Sequence, residues 1–161
     1  MEKKFRFLDG LAMADVAFEA FGSTIGEMFK NAGLALESVI VDLSGVRRIM
    51  NRELRIKGKD LESLLFDFLS ELVYLQSAEG LVFSGFDIRI KRNGAVSTPG
   101  VGKIDPGSRP ASGYTLNAEC FGEKIDLERH ELGTEVKGVT MHKFEVGKSD
   151  GGWRAQAVLD V

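Results

Sequence analysis

The side chains best equipped for chemistry stand near the end of this 161-residue chain. His130, Glu135 and Lys137 fall within the run HELGTEVKGVT, and Asp160 stands one residue before Val161. Far upstream, Asp15 opens the segment DVAFEAFG. If the strand that Asp15 begins lies beside the last strand, two carboxylates meet at one sheet edge. The α-carboxylate of Val161 would add a third. Like charges so close repel unless a cation or a proton intervenes. A donor set made only of oxygens suits a hard ion, Ca²⁺ foremost with Mg²⁺ or Mn²⁺ as alternatives, rather than zinc. Without that adjacency the same groups are three solvated surface charges.

The other two residues have ordinary explanations as well. Lys137 follows Val136 and precedes Val139, so it reads as an outward-facing lysine on a strand, where it would protect the sheet surface. His130 reads by default as a surface or capping histidine in a loop. It gains weight only because Glu135 and Lys137 follow closely.

Little else in the chain offers chemistry. There is no GxGxxG, Walker loop, GxSxG or HExxH motif. The glycine-rich stretch 94–113 has no helix after it to complete a phosphate cradle. Cys120 is the single cysteine, so neither an internal disulfide nor a cysteine-based zinc site can form. Beside Phe121 in a strand it reads as a buried thiol, with nothing near to lower its pKa. A net charge of −3 gives no global basic field. Arg47, Arg48, Arg52 and Arg55 form one basic cluster, which a solvated strand face explains equally well. No apolar signal segment opens the chain and no apolar run approaches membrane-spanning length, so a cytoplasmic protein without membrane contact is expected.

Elements must position these groups. Phe5 and Phe7 alternate with charged residues as in a half-buried strand, and Val16–Phe21 gives a second strand ended by Gly22. Thr24 and Glu27 form a capping box for a helix with Ile25, Met28, Phe29, Ala32, Leu36 and Val39 on one stripe. Residues 46–58 are polar, arginine-rich and extended, with Ile49, Leu54 and Ile56 as anchors. Asp60 caps a second helix with a leucine-rich face that ends at Gly80. Phe83, Phe86, Ile88 and Ile90 carry a strand in which Gly85 suggests a bulge. The region 93–113 reads as a surface loop. Tyr114–Phe121, Val136–Val146 and Trp153–Leu159 complete the strands, the last two as a hairpin over 147–152. The expectation is a single α+β domain spanning 1–161, with largely antiparallel sheets and both helices on one sheet face.

The segments DVAFEAFG, TIGEMFKNAGLAL, DLESLLFDFLSELVYL, AEGLVFSGF, ERHELGTEVKGVTMHKFEV and GGWRAQAVLDV together resemble the archease family over nearly the whole length. The pairing of HELGTEVKGVT with a terminal LDV is specific to it. The family fold is a strand–helix–strand–strand module with additional strands, which agrees with the order above.

The resemblance implies an accessory protein rather than an enzyme. Archeases act with RtcB-type RNA ligases in tRNA splicing and RNA repair, promoting guanylylation of the ligase histidine and multiple turnover. Asp15 and Asp160 match the acidic metal-site positions, and Val161 matches the last residue, which contributes an oxygen. Lys137 matches a strand lysine required, with the two aspartates, for activation. His130 and Glu135 are supporting positions in the same signature. The chain departs from the family pattern LDHTADV in reading LDGLAMADV at 8–16, without the His-Thr pair. The loop 93–113 also looks longer than in compact members. Two other functions remain open on the residues alone: an RNA-binding or chaperone-like module, and a small metal-dependent nucleotide hydrolase.

Overall fold

The computed structural model describes residues 4–9, 15–93 and 113–161. Residues 94–112, most of the expected loop, lie outside this range, as does most of the LDGLAMADV segment. Strands β1 (Phe5–Leu8) and β2 (Asp15–Gly22) are followed by helix α1 (Ile25–Ile40). Strand β3 (Met50–Gly58), helix α2 (Leu61–Glu79), and strands β4 (Leu81–Arg92) and β5 (Tyr114–Lys124) come next. Strands β6 (Gly138–Ser149) and β7 (Gly152–Asp160) close the chain.

The strands form two antiparallel sheets, ordered β1-β2-β7-β6 and β3-β5-β4. The fold is α+β, as expected, but the helices do not cover one sheet face only. They fill the space between the two sheets. In α1, Met28 approaches Gly22 of β2, while Gly26 approaches the carbonyl of Ile88 in β4. In α2, Leu64 packs on Gly58 of β3, and Phe66 meets Phe144 of β6 edge-on at 5.7 Å. A helix wedged between two sheets needs apolar groups on more than one stripe. The buried set in α1 accordingly includes Met28, Phe29, Ala32, Leu34, Ala35 and Leu36.

The helices start and stop where their local chemistry dictates. Thr24 and Asp60 accept the backbone N–H groups of Glu27 and Ser63 at the two N-caps. Gly80 takes the left-handed conformation that ends α2, at φ 67°. Between the helices, Phe68 stacks against Phe29 at 6.3 Å and Phe86 at 5.8 Å. Gly33 makes this closeness possible, since a Cβ there would lie 3.0 Å from the Phe86 ring.

One expected anchor differs. Leu54 and Ile56 of β3 do face inward, but Ile49 precedes the strand and is 74% exposed. The bulge at Gly85 is present as a register shift between Phe83 and Gly85. The β6–β7 hairpin turns on Asp150 and Gly151, both with positive φ, as a tight two-residue turn requires. A larger bulge interrupts β6 between Thr140 and Glu145, where Lys143 has φ 54° and turns Phe144 into the core.

Candidate functional site

Strand register decides the arrangement of the acidic groups. β2 and β7 run antiparallel, and Asp15 stands directly opposite Asp160. Directly opposed residues hold their Cβ atoms about 4.5–5.5 Å apart, so the two carboxylates share one spot on the sheet surface. Alternation along β7 sends Ala155, Ala157 and Leu159 into the core and leaves Asp160 exposed. On the other side of β7, Asp160 stands opposite Gly138 of β6, so no side chain crowds it from that strand. Val161 follows at once.

Lys137 reaches the same place through its backbone. Its N–H donates to the Asp160 carbonyl at 2.7 Å, fixing the residue next to the carboxylate pair. It lies just ahead of β6 rather than inside a strand, because the ladder proper begins at Gly138. The Lys137 side chain is exposed. Among the described residues, no ion pair involves Asp15, Asp160 or Lys137.

The residues before Lys137 form a strap over the end of α1. Asp42 N–H donates to the Glu131 carbonyl, and Val41 bridges Leu132. Gly133 and Thr134 donate to the carbonyls of Ile40 and Val39, both at 2.8 Å. The last carbonyls of a helix lack partners within it, so the strap and the helix end satisfy each other. Glycine is required at 133, because a Cβ there would lie 2.3 Å from the Val39 carbonyl oxygen. Val136 is then buried, which anchors the strap immediately before Lys137.

His130 ties down the other end. The structure overturns its reading as a surface histidine, since its side chain is wholly buried. The backbone N–H of Asp126 donates to Nδ1 at 2.7 Å, which leaves Nε2 to face Glu123 Oε2 at 3.1 Å. With Nδ1 accepting, the proton belongs on Nε2, and the neutral ring donates to Glu123. Glu123 also receives the Arg47 backbone N–H and the Arg129 guanidinium. Burial alone would raise the pKa of this carboxyl, but these donors outweigh it and hold the group down to about 2.

The sequence-derived set therefore divides. Asp15, Asp160, Val161 and Lys137 come together at one pole. Glu135 is exposed on the strap two residues before Lys137. His130 is the strap's buried anchor and does not itself face solvent. Glu123, Arg129 and Arg47 are partners that sequence reasoning missed. The signal available was a Glu and an Arg flanking a lone His within seven residues, but β5 had to be extended to Lys124 to place them. Cys120 is buried as expected, and burial pushes its thiol up to about 12.

The pole offers hard oxygen donors: two opposed carboxylates and main-chain oxygen at Val161. Among the described residues, no group of three or more His, Cys, Asp and Glu side chains gathers as metal ligands, so the side-chain set stops at two. That set fits a hard divalent ion held partly by water or a partner, since such ions take six or more oxygens. Among the described residues, no helix is long and apolar enough to cross a membrane.

Known proteins share this architecture and sequence. The chain matches the Archease protein family (MTH1598/TM1083) over residues 5–161. It is 37% identical to a protein archease of Pyrococcus abyssi over 149 residues, covering 92% of this chain and 93% of that one. Identity to a protein archease of Methanosarcina mazei is 38% over 159 residues, covering 99% and 97%. The solution structure of Methanobacterium thermoautotrophicum protein 1598 superposes with a TM-score of 0.74 at 31% identity, covering 98% and 99% of the two chains. A Thermotoga maritima crystal structure, described as an archease and possible chaperone, shares the fold with a TM-score of 0.56 at 20% identity, covering 93% of each. Matched from its first strand to its final residue, the chain belongs to the archease family.

Proposed function

We propose that this archease is a non-enzymatic accessory protein that activates an RtcB-type RNA ligase in the cytoplasm. In that role it promotes guanylylation of the ligase histidine and repeated turnover during tRNA splicing and RNA repair. It meets tRNA indirectly, through the ligase. The observation that carries this reading is the register that sets Asp15 opposite Asp160, with Lys137 bonded to the same residue.

Two like charges directly opposed across strands destabilise a sheet. Their retention at an exposed pole has a use if a cation or a cationic partner surface neutralises them. A divalent ion, Ca²⁺ or Mg²⁺ or Mn²⁺, would be held by Asp15, Asp160 and the Val161 oxygen. Bound there, it would supply positive charge that a phosphate or carboxylate of the partner can share. Lys137 presents a mobile positive charge beside the pair. The strap limits where that charge can go, because the backbone on both sides of it is hydrogen-bonded or buried.

Activation of this kind is a shift of population. The accessory protein must bind the reactive state of the ligase more tightly than the resting state. A charged pole supplies that preference when it is desolvated at the interface. The test mixes this protein with an RtcB-type ligase, GTP and Mn²⁺ and follows ligase guanylylation. Faster guanylylation and more than one turnover per ligase are expected. No acceleration at saturating protein contradicts the proposal, and GTP hydrolysis by this protein alone would favour a hydrolase.

A further inference from the structure

The second sheet has an outer face that the helices do not cover, and its charges are ordered by register. Opposite Asn117 of β5 stand Arg55 of β3 and Arg89 of β4. Two residues along, Lys57 and Lys91 stand opposite Thr115. In the other direction, Glu53 and Asp87 both stand opposite Glu119. All these positions alternate with the inward-facing Leu54, Ile56, Leu116, Ala118 and Ile88, so they share the outer face of the sheet, where Thr115 is covered and the charged residues are not. The face is concave where Glu53, Arg55, Asp87, Arg89, Asn117 and Glu119 line a trough of about 500 Å³ between β3 and β4, and Lys57 and Lys91 stand on the same face just beyond its end.

The four cations are available. Among the described residues, none of Arg55, Lys57, Arg89 and Lys91 takes part in an ion pair, and all four are exposed. Four other arginines are committed elsewhere. Arg6, Arg52, Arg129 and Arg154 are each engaged by a carboxylate. The arginine cluster expected from the sequence is thereby broken up: Arg52 pairs with Glu79, Arg48 donates to the Ser84 carbonyl, and only Arg55 joins the trough. Four cations against the three carboxylates of Glu53, Asp87 and Glu119 leave this face with an excess of one positive charge, in a chain of net charge −3.

We propose that this trough binds single-stranded RNA. Sheet geometry sets the cations about 10 Å apart across the floor and about 7 Å apart along it. A strand lying along the trough brings one phosphate after another between paired walls of positive charge. The exposed amide of Asn117 gives an uncharged polar floor suited to phosphate and sugar oxygens, while the Thr115 hydroxyl is buried and donates to Asn93. Beyond the cations, the Glu53–Glu119–Asp87 row offers acceptors only. It would repel phosphates, but it accepts hydrogen bonds from ribose 2′-hydroxyls and from exocyclic base amines. The 2′-hydroxyl makes RNA the complementary polymer rather than DNA.

This deepens the accessory role proposed above by giving the protein a direct grip on RNA, and the two can fail separately. Fluorescence anisotropy with a labelled single-stranded oligoribonucleotide, using this protein alone, reads the trough. With four phosphates neutralised, log K should fall against log salt with a slope of about −3, a loss of roughly fifty-fold between 50 and 200 mM salt. The Arg55→Ala/Arg89→Ala variant should bind at least ten-fold more weakly, with the slope roughly halved. Lys124→Ala/Lys148→Ala, an equal charge change elsewhere, should bind as the parent does. Because guanylylation can be followed without RNA, the Arg55→Ala/Arg89→Ala variant should still accelerate it. Absence of RNA binding at low salt, or binding that survives in the variant, overturns the proposal. So does equal affinity for DNA of the same sequence, or equal competition by polyglutamate.

Discussion

At the residue scale, Glu123 holds together the buried network that anchors His130. It is buried, yet it stays ionised because an arginine, a backbone N–H and the His130 ring donate to it. Its pKa is lowered to about 2 from 4.5. A carboxyl with a depressed folded-state pKa contributes stability that is fully present above its unfolded value. That contribution is lost as pH falls from about 4.5 toward 2. Glu123→Gln should therefore cost about 3 kcal/mol at neutral pH and flatten the acid limb of a stability–pH curve measured by urea unfolding. An unchanged acid limb would show that the network contributes nothing. His130→Ala should lower stability through the same anchor. His130 was legible as unusual in the sequence, but its role was not, since the partner that explains it lies in β5.

Glu37 is the opposite case. It is fully buried in α1, and neither carboxyl oxygen makes a hydrogen bond of normal geometry. Burial pushes its pKa well above the ordinary carboxylate range, against a weak pull from the Phe83 backbone N–H. The folded state therefore holds a proton that the unfolded state gives up above 4.5, and stability declines as pH rises beyond that value. Glu37→Gln should remove this decline, and Glu37→Met should raise stability at pH 8 by about 1–3 kcal/mol. Thermal unfolding of both variants at pH 5 and pH 8 checks the sign. A variant that loses stability equally at both values would mean that the carboxylate is satisfied by a buried water or ion.

At the element scale, the strap 131–137 turns a sequence signature into a position. Its two hydrogen bonds to the end of α1 and the buried Val136 carry Lys137 to Asp160. Gly133→Ala would drive a methyl group into the Val39 carbonyl. It should cost about 2 kcal/mol through the two lost backbone bonds, and the melting temperature should fall by roughly 4–8 °C for a chain of this size. Ligase stimulation should fall with it even at temperatures where the variant is folded, because Lys137 is no longer held. Full stimulation by a folded Gly133→Ala protein would separate the strap from activity.

Most elements could be read locally because their signals are local. Thr24, Asp60 and Gly80 mark helix ends by chemistry that involves neighbours three or four residues away. Alternation marked β1 and β2 for the same reason. Ile49 and Lys137 were misplaced by the strand pattern because both stand just outside their strands, and pairing decides where a strand begins. The order of strands was not readable. That β2 pairs with β7 depends on contacts separated by more than a hundred residues, and only this pairing puts Asp15 against Asp160.

At the scale of the whole molecule, the two sheets around a helical layer give two exposed faces with different charge. One ends in the carboxylate pole and the other carries the paired rows Arg55/Arg89 and Lys57/Lys91. The placement of the helices between sheets was missed because an apolar stripe shows only that a helix is buried, while the number of its buried faces depends on the whole assembly. A divalent ion that binds the pole in the folded state alone should raise the melting temperature as a function of its concentration. At one hundred times its Kd the gain is about 2.7 kcal/mol. Calorimetric titration with Ca²⁺, Mg²⁺ and Mn²⁺ should show this gain in the parent and its loss in Asp15→Asn/Asp160→Asn. An equal gain in the double variant would place the ion elsewhere.

One comparison bears on all of this at once: the rate of ligase guanylylation with the parent protein, Asp160→Ala and Lys137→Ala, each shown to be folded by its melting curve. Both side chains are exposed and support no packing, so both variants should melt close to the parent while failing to accelerate the ligase. Parent-like acceleration by either folded variant would contradict the assignment of the β2–β7 pole as the part of this protein that acts.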